Sequence, residues 1–246
     1  MTTKPDARQP LDTAMVFAAG LGTRMRPITD RIPKPLVQIG GKTMLDHMLD
    51  RLAAGGVTRA IVNVHHLPDQ IEAHLKHRTR PQIVISDERD KLLDQGGGIR
   101  KALPLIGDAD FFICNTDAVW LEGPHSTIAA MKQAWRPEEM DVLLLVAATS
   151  GAVGVDWPGD FHMAPDGRLT RRAEREVSAF VYAGVGIIKA SLFKDAKDDV
   201  FRLAPYFFRA AEAGRLHGVR LNGPWLHVGT PDAIEQAERA YARPAA

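Results

Sequence analysis

The chain alternates short apolar runs with amphipathic stretches, and this rhythm restricts the possible folds more than any other feature. Apolar runs at 14–19, 59–63 and 111–115 have the length of buried strands. Apolar residues recur at helical spacing over 43–54, and a further helix is predicted over 98–105. Strands that alternate with helices form βαβ units. The sequence therefore predicts an α/β, Rossmann-like fold with a mostly parallel central sheet flanked by helices.

The rhythm changes in the C-terminal part of the chain, where turn-rich segments replace the helices. Residues 157–160 and 164–167 are rich in Pro, Gly and Asp, which favour tight turns, and a strand is predicted over 179–188. These features predict a small antiparallel element in the C-terminal half. We predict a single domain over 14–246, preceded by a flexible, polar leader over 1–13.

The charge of the chain is nearly balanced, with 31 Lys and Arg against 30 Asp and Glu. A balanced surface lacks the electrostatic attraction that drives nucleic-acid binding. The apolar runs are far shorter than the roughly 20 residues that a membrane-spanning helix needs, and a single cysteine, Cys114, excludes a disulfide framework. We therefore expect a cytoplasmic protein that acts on small molecules, with no nucleic-acid or membrane partner and no identifiable protein partner.

A glycine-containing loop follows the first predicted strand, at the edge of the sheet where α/β proteins bind ligands. Gly20 and Gly22 let backbone amides approach a phosphate chain closely, and Arg24 adds a planar donor for its oxygens. Lys34 stands between Pro33 and Pro35, which hold it in a stiff stretch. These residues predict a phosphate site, although a plain strand-exit turn and a solvated lysine fit the same pattern.

Two longer motifs carry a family resemblance. Residues 18–29 read Ala-Ala-Gly-Leu-Gly-Thr-Arg-Met-Arg-Pro-Ile-Thr, and residues 33–36 read Pro-Lys-Pro-Leu. Together they resemble the signature of the sugar-1-phosphate nucleotidylyltransferases. The resemblance implies the nucleotidyltransferase fold and a reaction in which an NTP and a sugar 1-phosphate give an NDP-sugar and pyrophosphate. It continues through 94–103, 115–117, 159–161, 182–184 and 225–230.

The resemblance also indicates a subgroup of that family. The short length, the triple glycine at 96–98 and the Gly-Asp-Phe segment at 159–161 are similar to uridylyltransferases of peptidoglycan recycling. This implies UTP and N-acetylmuramic acid 1-phosphate as substrates. Two alternatives stay open. One is a relative that joins GTP, CTP, ATP or dTTP to a mannose-, heptose- or glucose-type phosphate, and the other is a catalytically weak nucleotide-sugar sensor.

The family pattern implies roles for particular residues. Catalysis by positioning and charge neutralisation falls to Arg24, Lys34 and Asp117. Metal binding is implied for Asp117 and His227, and sugar binding for Asn115, Gly159 and Gly184. A turn or packing role is the alternative for Asp117 and for the two sugar-site glycines. Nucleotide binding is implied for Ala18, Ala19, Gly20, Gly22, Thr23, Arg24, Gln95, Gly97 and Gly98.

Two residues depart from the family pattern. His227 stands where the family commonly has a second metal-binding carboxylate, and imidazole suits Mn²⁺ or Zn²⁺ better than Mg²⁺. Direct metal binding, a hydrogen bond to a metal-bound water and contact with phosphate stay open for this residue. We therefore expect Mg²⁺ on Asp117, with Mn²⁺ as the alternative. Gln95 stands where the nearest relatives have threonine. Its amide presents both a donor and an acceptor, so it bears on the choice of nucleotide unless it is an exposed loop residue.

Further polar residues lie near the same predicted edge of the sheet. His65 and His66 follow the strand predicted at 59–63 and are candidates for lining the nucleotide pocket. Arg171, Arg172 and Glu174 precede the strand predicted at 179–188, within reach of a sugar phosphate. A solvated surface is the alternative explanation for these last three residues.

Overall fold

The computed structural model describes residues 10–242 and has a nine-stranded main sheet in the order β11-β10-β12-β6-β1-β4-β5, with β8 beside β12 and β13 beside β8. The strands are β1 (Thr13–Phe17), β2 (Gln38–Ile39), β3 (Lys42–Thr43), β4 (Arg59–Val64), β5 (Gln82–Asp87), β6 (Phe111–Asn115), β7 (Ala118–Trp120), β8 (Val142–Ala148), β9 (Ala152–Val153), β10 (Phe161–Met163), β11 (Leu169–Arg171), β12 (Phe180–Ile188), β13 (Leu216–Arg220) and β14 (Trp225–His227). The helices are α1 (Met44–Ala54), α2 (Pro68–Leu75), α3 (Asp94–Ile106), α4 (Thr127–Ala134), α5 (Ala204–Glu212) and α6 (Pro231–Tyr241).

The central strands are parallel and are buried on both faces. β1 pairs in parallel with β4 and β6, and β4 pairs in parallel with β5. Successive side chains point to opposite faces of a strand. Ala14 and Val16 accordingly pack in one core with α1, α2 and α4, whereas Met15 packs in a second core with α3 and α5. The predicted α/β fold, with a mostly parallel sheet between helices, is confirmed.

The C-terminal half adds antiparallel strands to this sheet. β12 runs antiparallel to both β6 and β8, and the β10–β11 hairpin extends the sheet to its edge. The predicted small antiparallel element is therefore confirmed. This antiparallel element lies beside β6. The β10–β11 hairpin is therefore close to the carboxyl ends of the parallel strands, where the glycine loop also lies.

The start of α3 was predicted wrongly. The helix begins at Asp94 instead of Gly98, because its first turn is held by a distant segment. The Gly96 amide donates to the carbonyl oxygen of Phe201 at 2.9 Å, and a Cβ at Gly96 would overlap the Phe201 ring. A Cβ at Gly97 would overlap the Asp199 carbonyl in the same way. Close packing thus outweighs the poor helix propensity of three consecutive glycines.

A second, three-stranded sheet lies beyond the carboxyl end of β6, and the sequence patterns did not predict it. β14 pairs antiparallel with β7 and parallel with β9. In this register His227 lies opposite Ala118, and the Val228 amide donates to the Asp117 carbonyl oxygen at 3.1 Å. Two segments that are distant in sequence therefore meet directly after β6.

Only residues 10–13 of the predicted leader belong to the described part of the chain. Residues 1–9 of that leader lie outside the described residues. Leu11 is buried, and Thr13 is already the first residue of β1. Among the helices of residues 10–242, none is both long enough and apolar enough to cross a bilayer.

Candidate active site

A cleft with three adjoining cavities follows the carboxyl ends of the parallel strands. The loop cavity, of about 270 Å³, is lined by the glycine loop, Lys34 and Asp117. The Glu88 cavity, of about 290 Å³, is lined by Asn63 and Glu88 among others. The hairpin cavity, of about 850 Å³, lies between the β10–β11 hairpin and α5. Gln95 lines all three cavities, which places it at their junction.

The loop cavity gathers most of the residues that the sequence predicted for nucleotide binding and catalysis. Ala19 lines the Glu88 cavity, and Ala18 is buried behind it. Gly97 and Gly98 line none of the three cavities, because their α-carbons are turned towards Asp199 and Glu88. The predicted residues that the loop cavity brings together are Gly20, Gly22, Thr23, Arg24, Lys34, Gln95, Asn115 and Asp117.

The shape of the glycine loop depends on Gly22. Its φ of +62° is in the left-handed region, and a Cβ there would come within 2.8 Å of Thr29 Cγ2. The Thr29 hydroxyl donates to the Gly22 carbonyl oxygen at 2.8 Å and closes the loop. Gly20 has no atom within 4 Å of an added Cβ. Gly22 is therefore needed by the fold, whereas Gly20 leaves open space over the cavity.

This difference gives a paired prediction. Gly22→Ala is expected to lower the free energy of unfolding by about 1–3 kcal/mol, because alanine is strained at this positive φ and crowds Thr29. Gly20→Ala leaves stability within about 0.5 kcal/mol of wild type, since its site is open. It raises the KM for nucleotide, because a methyl group then occupies the space that a phosphate would approach. Urea unfolding and initial-rate kinetics measure the two effects, and equal stability losses would contradict the assignment.

Lys34 and Asp117 form an ion pair in the loop cavity. Lys34 Nζ lies 2.6 Å from Asp117 Oδ2, and the two side chains are 14% and 20% exposed. Burial acts to raise the pKa of Asp117, but the Lys34 ammonium, together with the Arg24 guanidinium, outweighs it, so that the pKa lies below its usual value. The carboxylate is therefore held ionised at the end of β6, with a fixed cation beside it.

His227 reaches the same place through the β7–β14 pairing. It lines a cavity with Arg24, Asp117 and Gly184, and its ring meets the Trp157 ring edge-on at 5.4 Å between centroids. Burial lowers the pKa of His227, the Asp117 carboxylate opposes this, and the nearby Lys34 and Arg24 cations add to the lowering. The imidazole is consequently neutral at pH 7.

The residues present can be compared with what a divalent cation needs. Within residues 10–242, no group of three or more His, Cys, Asp or Glu side chains converges on one point. Mg²⁺ commonly binds to one or two carboxylates and completes its shell with phosphate oxygens and water. Asp117 is by itself sufficient for this kind of Mg²⁺ binding, because it offers one ionised carboxylate in the loop cavity. The nitrogen of His227 suits Mg²⁺ poorly.

Sequence reasoning missed a buried polar pair behind the glycine loop. Asn63 Oδ1 accepts a hydrogen bond from the Ala18 amide at 2.8 Å, and Asn63 Nδ2 donates to Glu88 Oε1 at 2.8 Å. Both side chains are buried, and Glu88 Oε2 has no hydrogen-bond partner among the described residues. The pair ties the end of β1 to β4 and to the residue after β5. Its only signal in the sequence is a polar residue inside the apolar strand β4.

Burial of Glu88 has a consequence for the pH dependence of stability. Burial raises the pKa of Glu88 above its ordinary 4.5, although Asn63 partly opposes the shift. The folded state then holds a proton that the unfolded state has released, so stability falls as pH rises through the window above 4.5. Glu88→Gln keeps the acceptor for Asn63 and removes this decline. Urea unfolding of both proteins from pH 5 to pH 8 measures it, and parallel curves would contradict the prediction.

The two consecutive histidines after β4 hold neighbouring loops in place. His65 Nδ1 lies 2.6 Å from the Glu88 carbonyl oxygen, and His66 Nε2 lies 2.8 Å from the Thr29 carbonyl oxygen. Neither histidine lines the three cavities defined above. Each ring therefore binds a backbone carbonyl of a segment that borders the cleft.

The residues predicted for the sugar lie in or beside the hairpin cavity. Asn115 Oδ1 accepts a hydrogen bond from Gln95 Nε2 at 2.8 Å. Gly159 lines this cavity with a φ of +87°, and a Cβ there would overlap Ser178. Gly184 has a φ of +82°, and a Cβ there would come within 2.7 Å of the Ala118 Cβ. Close packing accounts for both glycines, and their role in sugar binding stays a prediction.

Comparison with solved structures defines the class of fold. A putative glucose-1-phosphate thymidylyltransferase from Bacillus anthracis superimposes with a TM-score of 0.79 over 95% of this chain and 97% of that chain, at 15% identity. At this identity the likeness shows the fold alone.

The sequence comparisons identify the family within this class. The chain belongs to the MobA-like NTP transferase domain family, whose model matches residues 14–196. An N-acetylmuramate α-1-phosphate uridylyltransferase from Caulobacter vibrioides is 46% identical over 93% of this chain and 96% of that protein. An enzyme of the same name from Neisseria meningitidis is 32% identical over 92% of this chain and 96% of that protein. The family resemblance inferred from the motifs is thereby confirmed.

Proposed function

We propose that the chain transfers a uridylyl group from UTP to N-acetylmuramic acid 1-phosphate, releasing UDP-N-acetylmuramic acid and pyrophosphate. The two uridylyltransferases that match it over more than nine-tenths of its length support these substrates. One structural observation carries the reaction type. The loop cavity, which holds Arg24, Lys34 and Asp117, shares Gln95 and Asn115 with the larger hairpin cavity. A nucleotide in the first and a sugar phosphate in the second would meet at these residues.

The chemistry needs no covalent intermediate on the protein. An oxygen of the sugar phosphate attacks the α-phosphorus of UTP in line, and a new P–O bond forms there. The bond between the α-phosphorus and the bridging oxygen breaks, and its electron pair leaves with pyrophosphate. The task of the chain is therefore to align two polyanions and to neutralise their charge.

Arg24 and Lys34 supply the fixed positive charge in this proposal. Arg24 offers a planar fork of donors to the phosphate oxygens, and Lys34 offers a compact ammonium. The Asp117 carboxylate holds the Lys34 ammonium within 2.6 Å before any substrate binds. A preorganised cation costs no reorganisation at the moment of reaction.

Asp117 would hold a divalent cation together with the phosphates of UTP. A divalent cation held there would supply positive charge that neutralises the triphosphate and the leaving pyrophosphate. Because His227 is a poor Mg²⁺ ligand, we propose that its ring N–H donates a hydrogen bond to a phosphate oxygen, and that Mn²⁺ is the cation if it ligates directly. Mg²⁺ dependence with an unchanged metal affinity in His227→Ala would support the hydrogen-bonding role.

The remaining predicted residues fall into two groups. We assign the sugar to the hairpin cavity, where Asn115, Gly159 and nearby Gly184 surround it, and the nucleotide to the loop and Glu88 cavities. We propose a single domain over 14–246, supported by a main sheet that takes strands from β1 to β13 of the described residues. The reaction consumes UTP, and we place it in the cytoplasm. The nucleotide group comprises Ala18, Ala19, Gly20, Gly22, Thr23, Arg24, Gln95, Gly97 and Gly98.

Pyrophosphate release tests the proposal. N-acetylmuramic acid 1-phosphate is incubated with UTP, GTP, CTP, ATP or dTTP, each with Mg²⁺ and with Mn²⁺. Turnover confined to UTP is the expected result. Preference for another nucleotide would reassign the substrates within the family, and nucleotide binding without turnover on a panel of sugar phosphates would favour a sensor.

A further inference from the structure

The hairpin cavity contains a cation that the reaction described above does not use. Arg24 and Lys34 do not line this cavity, so its positive charge comes from Arg171 and Arg172. Arg171 is the last residue of β11, on the edge strand of the main sheet, and lies opposite Phe161 of β10. Residues opposite each other in an antiparallel pair share a face. Arg171 therefore points to the same side as Phe161, towards α5.

The arginines of this segment differ in what they bind. Arg168 Nε pairs with Asp166 Oδ2 at 2.7 Å. Arg172 donates to backbone carbonyls, with Nε 2.9 Å from the Gly159 oxygen and Nη1 2.8 Å from the Ala173 and Glu176 oxygens. Arg171 makes no ion pair within residues 10–242. Its donors are therefore available to a ligand, whereas those of Arg168 and most of those of Arg172 are already used.

The Arg171 guanidinium is also held in place. Its Cζ lies 4.1 Å from the centroid of the Phe208 ring, which belongs to α5 and lines the same cavity. A guanidinium stacked on an aromatic face is attracted by the ring and keeps its fork of donors in one plane. Glu174 lines the cavity as well, but it does not pair with Arg171. The stacked arginine is thus oriented by Phe208 and not by an acidic side chain.

The proposed sugar substrate has a group that matches this cation. N-acetylmuramic acid differs from N-acetylglucosamine by a lactyl ether that ends in a carboxylate, so its 1-phosphate carries two separate anionic groups. The 1-phosphate has to meet the nucleotide at Gln95 and Asn115, on the side of the loop cavity that holds Arg24 and Lys34. The lactyl carboxylate, elsewhere on the sugar, is left without a partner. A planar arginine fork binds a carboxylate through two parallel hydrogen bonds. A cavity of about 850 Å³ has room for the sugar with its ether substituent.

We propose that Arg171 binds the lactyl carboxylate of N-acetylmuramic acid 1-phosphate and thereby sets the sugar specificity, with Phe208 as the residue that positions it. This inference rests on the proposed function, because it takes its ligand from the proposed substrate. Arg172 shapes the loop through its bonds to carbonyl oxygens, and it is not the carboxylate ligand.

The test compares two substrates in two proteins. One substrate is N-acetylmuramic acid 1-phosphate, and the other is its analogue with the lactyl carboxylate converted to a neutral carboxamide. Arg171→Gln is expected to lower kcat/KM for the acid by about 10- to 100-fold, as for the loss of a charge-assisted hydrogen bond, and for the amide by less than about 3-fold. Arg171→Lys recovers part of the loss on the acid, since it restores the charge without the fork.

Controls separate the inference from folding and from the reaction itself. Arg209 also stacks on an aromatic ring, with Cζ 4.3 Å from the Tyr206 centroid, but it does not line the hairpin cavity. Arg209→Gln should leave both substrates unchanged, and thermal stabilisation by UTP should be the same in all variants. Equal losses on acid and amide in Arg171→Gln, or no loss on either, would overturn the inference. Wild-type protein that turns over neither sugar with UTP would instead overturn the proposed function.

Discussion

Asp117→Asn is expected to lower kcat for pyrophosphate release by about 10³-fold, the largest effect of any single substitution in the cleft. The asparagine amide keeps the size of the carboxylate but loses its charge. It can neither hold a divalent cation among the phosphates nor fix the Lys34 ammonium that now lies 2.6 Å away. Single-turnover kinetics with saturating UTP measure the chemical step directly, and titration with Mg²⁺ measures the lost metal affinity.

A matched aspartate separates this effect from the loss of an ion pair. Asp141 pairs with Lys189 at 3.0 Å and also with Arg215 at 2.9 Å, and the Asp141 and Lys189 side chains are 22% and 21% exposed, close to the values for Asp117 and Lys34. Asp141 lies just before β8, outside the three cavities. Asp141→Asn should therefore cost stability without lowering kcat by more than about 2-fold. Equal losses of kcat in the two variants would show that Asp117 acts only through stability.

Arg24→Gln is expected to lower kcat/KM for UTP by about 10²- to 10³-fold, because it removes the charged fork that we assign to the UTP phosphates. Arg24 lies on the short turn after Gly22, lines the loop cavity and acts on the pKa of both Asp117 and His227. The effect should appear in both KM and kcat, since the phosphate charge changes between the bound substrate and the transition state. Steady-state kinetics over a range of UTP concentrations separate the two parameters.

The control for this substitution lies two residues further along the same turn. Arg26 pairs with Asp30 on the surface, and its side chain is 60% exposed. Arg26→Gln removes an equal charge from the same loop but from outside the cavity. It should change kcat/KM by less than about 2-fold. Similar losses from both variants would indicate a general electrostatic attraction of UTP in place of direct contact by Arg24.

Much of this site could be predicted from sequence because its residues follow strands in short contiguous runs. The residues that directly follow the strands of a parallel sheet all lie at the carboxyl edge of that sheet. Sequence position alone therefore predicts that the glycine loop lies near Asn115 and Asp117. Lys34 followed from the stiffness that flanking prolines impose. The helical spacing of apolar residues over 43–54 likewise predicted α1, which spans Met44–Ala54.

The parts that sequence could not supply depend on contacts between distant segments. The Asn63–Glu88 pair joins two strands through single buried side chains, and neither residue belongs to a motif. The first turn of α3 forms because the segment at Phe201 accepts its amides, which outweighs the glycine composition. β7 and β14 have three residues each, too few to show an alternating pattern.

The pairing of β7 with β14 also bears on the order in which the molecule becomes active. His227 and Val228 reach Asp117 across about one hundred residues of chain, so we expect this contact to close a long loop late in folding. The parallel core of β1, β4, β5 and β6 contains none of these C-terminal residues. A nascent chain that has completed that core is therefore expected to have a half-built cleft, and to become active only when β14 docks.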